Sequence, residues 1–191
     1  METQGSPSLL NIEQFIDPTS YTLKVKKPGT DEYEDKPVDL IETFNWLIGL
    51  HVEHMDVWRG FDAKFKREKD PELPKDGHTK LVIDGKLKET QDGAFALRKI
   101  EGWVCRTPGN TEDREKVLVV WRKLSGNLEE DNEVLDEWFR KLDIRSRDSE
   151  FDVIYVNGSN NLPNLRREGE HWKVRLLEET FHQKMWDIED V

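Results

Sequence analysis

The chain has 191 residues, of which 36% are charged and 35% hydrophobic, and its formal net charge is −11 at pH 7. This length suits one domain, or one domain with an extension. Because seven tryptophans add apolar area to a polar chain, we expect a compact core and not disorder. The acidic balance argues against a nucleic-acid-binding protein that acts alone, although it leaves room for a local basic patch.

Cysteine usage and hydropathy bear on the compartment. Cys105 is the only cysteine, which excludes a disulfide within the chain and suits a reducing environment. No apolar run reaches the roughly 18 residues of a membrane span. Residues 1–9 lack the basic and apolar regions of a signal peptide. We therefore expect a cytoplasmic protein without membrane contact.

The chain begins with signals for one strand and one helix. Tyr21, Leu23 and Val25 alternate with polar residues, which is typical of a half-buried strand. A polar turn is expected at 27–36. Apolar residues then recur at helical spacing and predict a core helix at about 37–49. The apolar positions of this helix are Leu40, Ile41, Phe44, Leu47 and Ile48.

Residues 51–92 carry weaker signals. A short strand is predicted at 51–58, whereas 59–80 has the composition of an exposed loop or of a charged helix with a loop. Asp84 and Gly85 separate two short runs. They form the strongest hairpin signal in the chain, because a type I′ turn needs positive φ at both central residues.

Three longer strands are predicted in the second half of the chain. They lie at 95–105, with a bulge at Gly102, at 116–122 and at 152–156. The strand at 116–122 is apolar almost throughout, which is typical of a strand buried on both faces. Asn127 resembles the cap of an amphipathic helix that connects the last two strands.

The strand, helix and strand over 116–157 predict one parallel βαβ unit. A short strand at 172–174 and a helix at 175–186 close the chain. We therefore expect an α/β fold, with α+β as the alternative, in which helices pack on a mixed β-sheet that contains this unit. A single domain is predicted over 21–191, after an N-terminal extension at 1–20.

No established catalytic or metal-binding motif is present in the sequence. A single cysteine cannot form a zinc knuckle, and His51 with His54 is a weak metal signal. The carboxylates at 129–133 fit a solvated helix face better than an acid–base pair. Cys105 fits a small core residue better than a nucleophile. The sequence thus predicts no catalytic, cofactor or metal site.

Two basic groups are candidate nucleic-acid contacts. In the first group, basic residues alternate with aromatic ones, a combination that can hold phosphate and stack bases. This group comprises Arg59, Lys64, Lys66, Arg67 and Lys69. The alternative is an amphipathic segment whose basic face lies in water. The second group, Arg166 and Arg167, follows a predicted parallel strand, and ligands of parallel sheets bind beyond the carboxyl ends of the strands.

Four stretches, taken in order, resemble one protein family. They are VDLIETFNWLIGLHV (38–52), VLVVWRKL (117–124), DVIYVNGSNNLP (152–163) and LLEETFHQKMW (176–186). In order and spacing they are similar to the C-terminal region of large adenine-N6/cytosine-N4 DNA methyltransferases, such as the modification subunits of type III restriction systems. The resemblance covers residues 21–186.

The chain departs from this family in informative ways. Ser159 stands where the family has Asp after Asn-Gly, and residues 59–92 are longer than expected, so we interpret part of them as an insertion with a hairpin. The family's catalytic motif needs two adjacent prolines, and its S-adenosylmethionine site needs a glycine-rich motif. Both are absent here. The resemblance therefore implies a non-catalytic domain, either a fragment or a split subunit.

The resemblance also implies the partners. The catalytic methyltransferase domain or subunit would bind S-adenosylmethionine and this chain, and DNA is a second candidate partner. Glu42, Asn45 and His51 are the candidate partner contacts, since they are the polar residues in and after the predicted helix.

Two other functions remain open. A general protein–protein interaction module unrelated to DNA would fit the net charge of −11, because counterion release needs clustered Lys and Arg. A phosphodiesterase that works through acidic clusters is the third hypothesis, and it lacks a paired acidic motif at a strand end.

Overall fold

The computed structural model describes residues 15–70, 72, 78–166 and 171–189. The strands are β1 (Thr22–Lys26), β2 (Tyr33–Pro37), β3 (His51–Met55), β4 (Arg59–Asp62), β5 (Phe65–Lys69), β6 (Thr79–Ile83), β7 (Lys88–Glu89), β8 (Phe95–Cys105), β9 (Arg114–Lys123), β10 (Val153–Val156) and β11 (Val174–Leu176). The helices are α1 (Leu40–Leu47), α2 (Leu128–Lys141) and α3 (Leu177–Glu189).

Seven strands form a central mixed sheet. Its order is β11-β10-β9-β8-β4-β7, and β3 pairs with the second half of β8. β10 runs parallel to both β9 and β11, whereas β8 runs antiparallel to β9, β3 and β4. The predicted α/β fold is therefore confirmed, and the parallel unit at 116–157 is present as β9, α2 and β10.

Helices cover both faces of this sheet. Leu118 and Val120 of β9 pack in the core that α2 completes, while Val117, Val119 and Trp121 pack in the core that α1 and α3 complete. Successive side chains of a strand point to opposite faces. Since both faces are covered, the whole apolar run of β9 is buried, as the sequence pattern predicts.

The α1 helix begins later than predicted because Asp39 caps it. The Asp39 carboxylate accepts hydrogen bonds from the backbone N–H groups of Ile41 and Glu42, both at 3.0 Å. Residues 33–37, which the sequence placed in a turn and at the helix start, instead form β2 and pair with β1. Phe15, within the predicted N-terminal extension, is buried in the same core as α1.

The predictions for 59–92 need the largest correction. Residues 59–62 and 65–69 are the strands β4 and β5, not a loop or a helix. The turn at Gly85 exists, with φ of +94°, but β6 pairs with β5 and β7 pairs with β4, so the predicted hairpin is wrong. Leu87 is 1% exposed, and burying it holds the chain after the turn on the central sheet.

The irregularity predicted at Gly102 lies on the neighbouring strand. The pairing of β3 with β8 shifts between Val52 and His54, opposite Gly102 and Glu101, so the extra residue is Glu53 of β3. Gly102 is still required at its position, since an added Cβ would collide with the backbone carbonyl of His51. Close approach of two backbones is a recognised reason for glycine inside a strand.

Candidate functional site

A buried arginine organises the carboxyl ends of β9 and β10. The Nε and Nη2 atoms of Arg122 donate to the carbonyl oxygen of Asn157 at 3.0 and 2.7 Å. Nη1 donates to Oδ1 of Asn132 at 2.9 Å. Nη2 also donates to the carbonyl oxygens of Gly158 and Ser159, at 3.1 and 3.2 Å. The guanidinium therefore holds the turn after β10 against α2.

Asn157 and Glu178 complete this network. The Asn157 side chain accepts from the backbone N–H of Arg122 at 2.6 Å and donates to the Arg122 carbonyl at 2.9 Å. Its amide nitrogen also donates to the carbonyl of Phe15 at 3.3 Å. Oε1 of Glu178 accepts from the N–H of Gly158 at 2.7 Å. Three of the four stretches in the resemblance, those at 117–124, 152–163 and 176–186, thus meet in one buried network.

The charges of this network are largely desolvated. Burial lowers the pKa of Arg122 to about 10, against the charges of Asp131 and Glu178, so the guanidinium stays protonated at neutral pH. Burial raises the pKa of Glu178, and its Oε2 has no hydrogen-bond partner among the described residues. Arg122 is 2% exposed and its donors are occupied by the protein. The network is therefore suited to fixing the loop after β10 and not to holding a substrate.

The first predicted basic group is largely neutralised by neighbouring carboxylates. Its ion pairs, with nitrogen–oxygen distances, are Arg59–Glu89 at 2.8 Å, Arg59–Asp56 at 3.0 Å, Lys66–Glu68 at 2.9 Å, Lys66–Asp84 at 3.7 Å and Arg67–Glu129 at 2.6 Å. The hydrogen bond from Arg59 is the main reason that the pKa of Asp56 is lowered. Lys64 and Lys69 are exposed and form no ion pair with a described residue.

The aromatic residues of that segment are also unavailable for stacking. Phe61 is buried in the core on the α2 side, and Phe65 lies edge-on to Phe95 with ring centroids 5.8 Å apart. Phe61 is the buried residue of β4, and Phe65 is the partly buried first residue of β5, whose other four residues are exposed. Residues 59–69 therefore do not place an exposed aromatic ring beside an unpaired cation, which the predicted nucleic-acid contact requires.

The second predicted group leads to a different surface. The Arg166 guanidinium lies 5.8 Å from the ring centroid of Trp172, and the two residues form an isolated β-bridge. Trp172 is 50% exposed. Arg167 lies outside the described residues. Arg166 thus stands beside an exposed indole at the β11 edge of the sheet.

A cavity of about 590 Å³ opens beside this indole, between β11 and α3. Nε of Arg175 donates to the Trp172 carbonyl at 2.9 Å. Neither Arg175 nor Lys184 forms an ion pair with a described carboxylate. The cavity is lined by Tyr155, Asn164, His171, Trp172, Val174, Arg175, Leu176, Glu179, Thr180, Gln183 and Lys184. The sequence pattern did not lead us to predict this site, although the six basic or aromatic residues at 166–175 were a usable signal.

Two of the three predicted partner contacts are exposed and the third is buried. Glu42 is exposed on α1, and His51 is exposed on β3 with its ring stacked on Trp103 at 4.0 Å. Asn45 is 7% exposed, so its expected position outside the core is wrong. The reason is that Asn45 follows Ile41 by four residues and shares its buried helix face.

Exposed apolar residues lie near Glu42 and His51 in the chain. Trp46 of α1 is 72% exposed, and Val52 and Met55 of β3 are also exposed. Within the described part of the chain, β3 pairs only with β8, so its outer edge carries free backbone groups. We call Glu42, Trp46 and the residues of β3 the β3 surface.

Comparison with protein-family models, with curated proteins and with solved structures found no match. Among the residues that the structure describes, no group of three or more His, Cys, Asp or Glu side chains could hold a metal ion. No helix in the described ranges has both the length and the apolar character needed to cross a membrane.

Proposed function

We propose that the chain is a non-catalytic accessory domain of an adenine-N6/cytosine-N4 DNA methyltransferase, similar to type III modification subunits. It would bind the catalytic domain or subunit and contribute to DNA contact. The observation that carries this proposal is a network in which Arg122 hydrogen-bonds Asn157 and Glu178 accepts from the N–H of Gly158. These residues come from three stretches of the resemblance. Such a network is stable only when all members are present, so the stretches have a physical reason to occur together.

The β3 surface is the part of the molecule best suited to partner binding. An edge strand with unpaired backbone groups can receive a strand from another chain. Val52 and Met55 of this strand and Trp46 of α1 are exposed and would supply apolar contact area. His51 is held by its stack on Trp103, which in turn lies 3.9 Å from the Arg114 guanidinium.

A co-elution experiment tests the association. The full chain would be mixed with the catalytic region of an adenine-N6/cytosine-N4 DNA methyltransferase from the same organism and separated by size-exclusion chromatography. We expect a complex that Trp46→Ala and His51→Ala weaken, while Trp172→Ala on the other edge of the sheet leaves it unchanged. Absence of a complex with the unchanged chain would refute the proposal.

Calorimetry with S-adenosylmethionine tests the non-catalytic part. The isolated chain should show no binding, whereas the complex with the catalytic region should bind the cofactor. Tight binding by the isolated chain would show that a cofactor site exists here without the expected glycine-rich motif.

A general protein–protein interaction module is the second candidate. The neutralisation of Arg59, Lys66 and Arg67 by carboxylates favours it, because paired cations release few counterions on binding DNA. The two candidates differ in the salt dependence of DNA affinity. A chain that neither binds the catalytic region nor binds DNA with a salt-dependent affinity would support the module.

A further inference from the structure

We propose that the cavity between β11 and α3 binds one unpaired nucleotide of a nucleic-acid strand, with the base on Trp172 and the phosphate at Arg175 and Lys184. This inference deepens the proposed function and rests on it only for the choice of DNA as the strand. The site itself is argued from charge, the exposed ring and the polar lining of the cavity.

The charge around the cavity opposes the acidic balance of the chain. Arg175 and Lys184 line it and Arg166 lies beside it, whereas Glu179 is the only carboxylate among the lining residues that the structure describes. The formal net charge of the whole chain is −11. In the described ion pairs, Arg59, Lys66 and Arg67 are each held by a carboxylate, but Arg175 and Lys184 are not. Cations without a carboxylate partner can meet phosphate without first breaking an ion pair.

The indole of Trp172 is presented on a fixed backbone. Its carbonyl accepts from Nε of Arg175 at 2.9 Å, and the next residue, Lys173, is buried. Half of the Trp172 surface is nevertheless open, at 50%. The Arg166 guanidinium, 5.8 Å from the centroid of this indole, would place a positive charge beside a base that stacks on Trp172.

The remaining lining suits a sugar and a base edge. Thr180 and Gln183 of α3 offer a hydroxyl and an amide, while Asn164 is already engaged with the backbone of Val174. Burial raises the pKa of Tyr155, so its hydroxyl stays protonated and can donate. The volume of about 590 Å³ lies inside the usual range for small-ligand sites.

These features favour a nucleic acid over an acidic peptide, and an unpaired base over a duplex. A peptide carboxylate would satisfy the cations but would leave the indole without a planar partner. In a duplex, both faces of a base are already covered by its neighbours, so Trp172 could not stack on it. A strand with an unpaired nucleotide satisfies both groups at once.

Fluorescence anisotropy of the full chain with a short labelled single-stranded oligodeoxynucleotide tests the site. We expect Trp172→Ala to weaken binding by roughly tenfold or more. Lys184→Gln should reduce the slope of log affinity against log salt by about 0.7, the value for one phosphate on a single strand. Trp46→Ala and Lys66→Gln are the matched controls and should bind as the unchanged chain does.

Several results would overturn the inference. These are equal binding of a duplex of the same sequence, equal competition by a polyglutamate peptide, and affinity that depends on Lys64 and Lys69 but not on Lys184. If Trp172→Ala alters the circular dichroism spectrum, Trp172→Phe and Lys184→Gln decide the matter. Loss of strand binding with intact co-elution overturns only this inference, whereas loss of co-elution with intact strand binding overturns only the proposed function.

Discussion

At the residue scale, the most demanding position is Arg122. A buried charge is costly unless hydrogen bonds and opposite charges compensate it. Here the guanidinium donates to the carbonyl oxygens of Asn157, Gly158 and Ser159 and to the side chain of Asn132. The carbonyl oxygens at 157–159 therefore provide most of the hydrogen bonds that offset the cost of burying this charge. Arg122 in turn holds the backbone at 157–159 in place.

Replacing Arg122 with alanine should destabilise the fold strongly. We expect Arg122→Ala to lower the free energy of unfolding by roughly 3–5 kcal/mol, because it leaves buried acceptors and the carboxylate of Glu178 without their cation. Urea denaturation measures this change. Arg106→Ala is the control, since Arg106 forms exposed ion pairs with Asp113 and Glu115 and should cost about 1 kcal/mol or less. A loss below that for Arg122→Ala would contradict the role of the network.

The Glu178 carboxyl should make stability depend on pH. Burial raises its pKa in the folded chain, against the hydrogen bond from Gly158 and the charge of Arg122. The folded state therefore holds this proton more tightly than the unfolded state, whose pKa is about 4.3. This contribution to stability is full below the unfolded-state pKa and is lost as the pH rises through the folded-state pKa.

Glu178→Gln removes that titration. The free energy of unfolding of the unchanged chain, minus that of the variant, should be larger at about pH 4 than at about pH 7. Urea denaturation at both pH values gives the difference, and Glu179→Gln, at the exposed neighbouring position, is the control. A difference that does not change with pH would show that burial does not govern this carboxyl.

At the element scale, β8 carries two different neighbours on one side. Its first residues pair with β4 and its later residues with β3, while β9 pairs along its whole length on the other side. β3 has only this one strand partner among the described residues and all its residues are exposed. The position of β3 against β8 therefore depends on the close approach of the two backbones at Gly102.

Gly102→Ala should displace β3. The new Cβ would meet the carbonyl oxygen of His51, and relief of such overpacking costs about 1–3 kcal/mol. We expect that loss in urea denaturation, together with weaker co-elution with the catalytic region, because β3 belongs to the proposed partner surface. Gly109→Asn is the control, since space around Gly109 is open and Asn tolerates its φ of +81°. Unchanged stability of Gly102→Ala would mean that β3 adjusts freely.

At the scale of the whole molecule, the central sheet with the helices on its two faces, here called the three-layer unit, differs in burial from the two small sheets. β9 and β10 are buried on both faces, whereas the β1–β2 and β5–β6 pairs are separate two-stranded sheets with mostly exposed side chains. Isolated two-stranded sheets are marginally stable. The molecule should therefore open in parts and not only as a whole.

Hydrogen exchange followed by mass spectrometry tests this difference. Amides of β9 and β10 should exchange slowest, near the rate set by global unfolding, and those of β5–β6 should exchange much faster. Peptides from α2, which covers the same sheet, serve as the internal reference for the core. Exchange of β5–β6 as slow as that of β9 would show that the small sheet is an integral part of the three-layer unit.

Local patterns explain why the central unit was predictable from the sequence. The run at 116–122 is apolar at successive positions, so it satisfies two buried faces wherever it pairs. Asn127 caps α2 through its own side chain, which accepts from the N–H of Glu130. The strand predicted at 95–105 is observed with the same bounds, although its buried residues do not alternate strictly.

The sequence-based predictions that were wrong concern features that depend on contacts between residues distant in the chain. The local sequence predicts an unpaired cation at Arg67, but Arg67 forms an ion pair with Glu129, which is 62 positions away. The turn at Gly85 is local, whereas the partners of its flanking strands are β5 and β4. The polarity of Asn45 predicts an exposed side chain on α1. Packing of α1 against α3 and the sheet buries the helix face that carries it.

Local periodicity, capping and composition are sufficient to predict the βαβ unit, the core helices and the acidic balance of the chain. Only the folded chain shows which cations are paired, which edge of the sheet is open, and that Trp172, Arg175 and Lys184 line one cavity. Ion pairs and strand pairs join segments that are far apart in the chain, so the local sequence around one residue does not identify its partner.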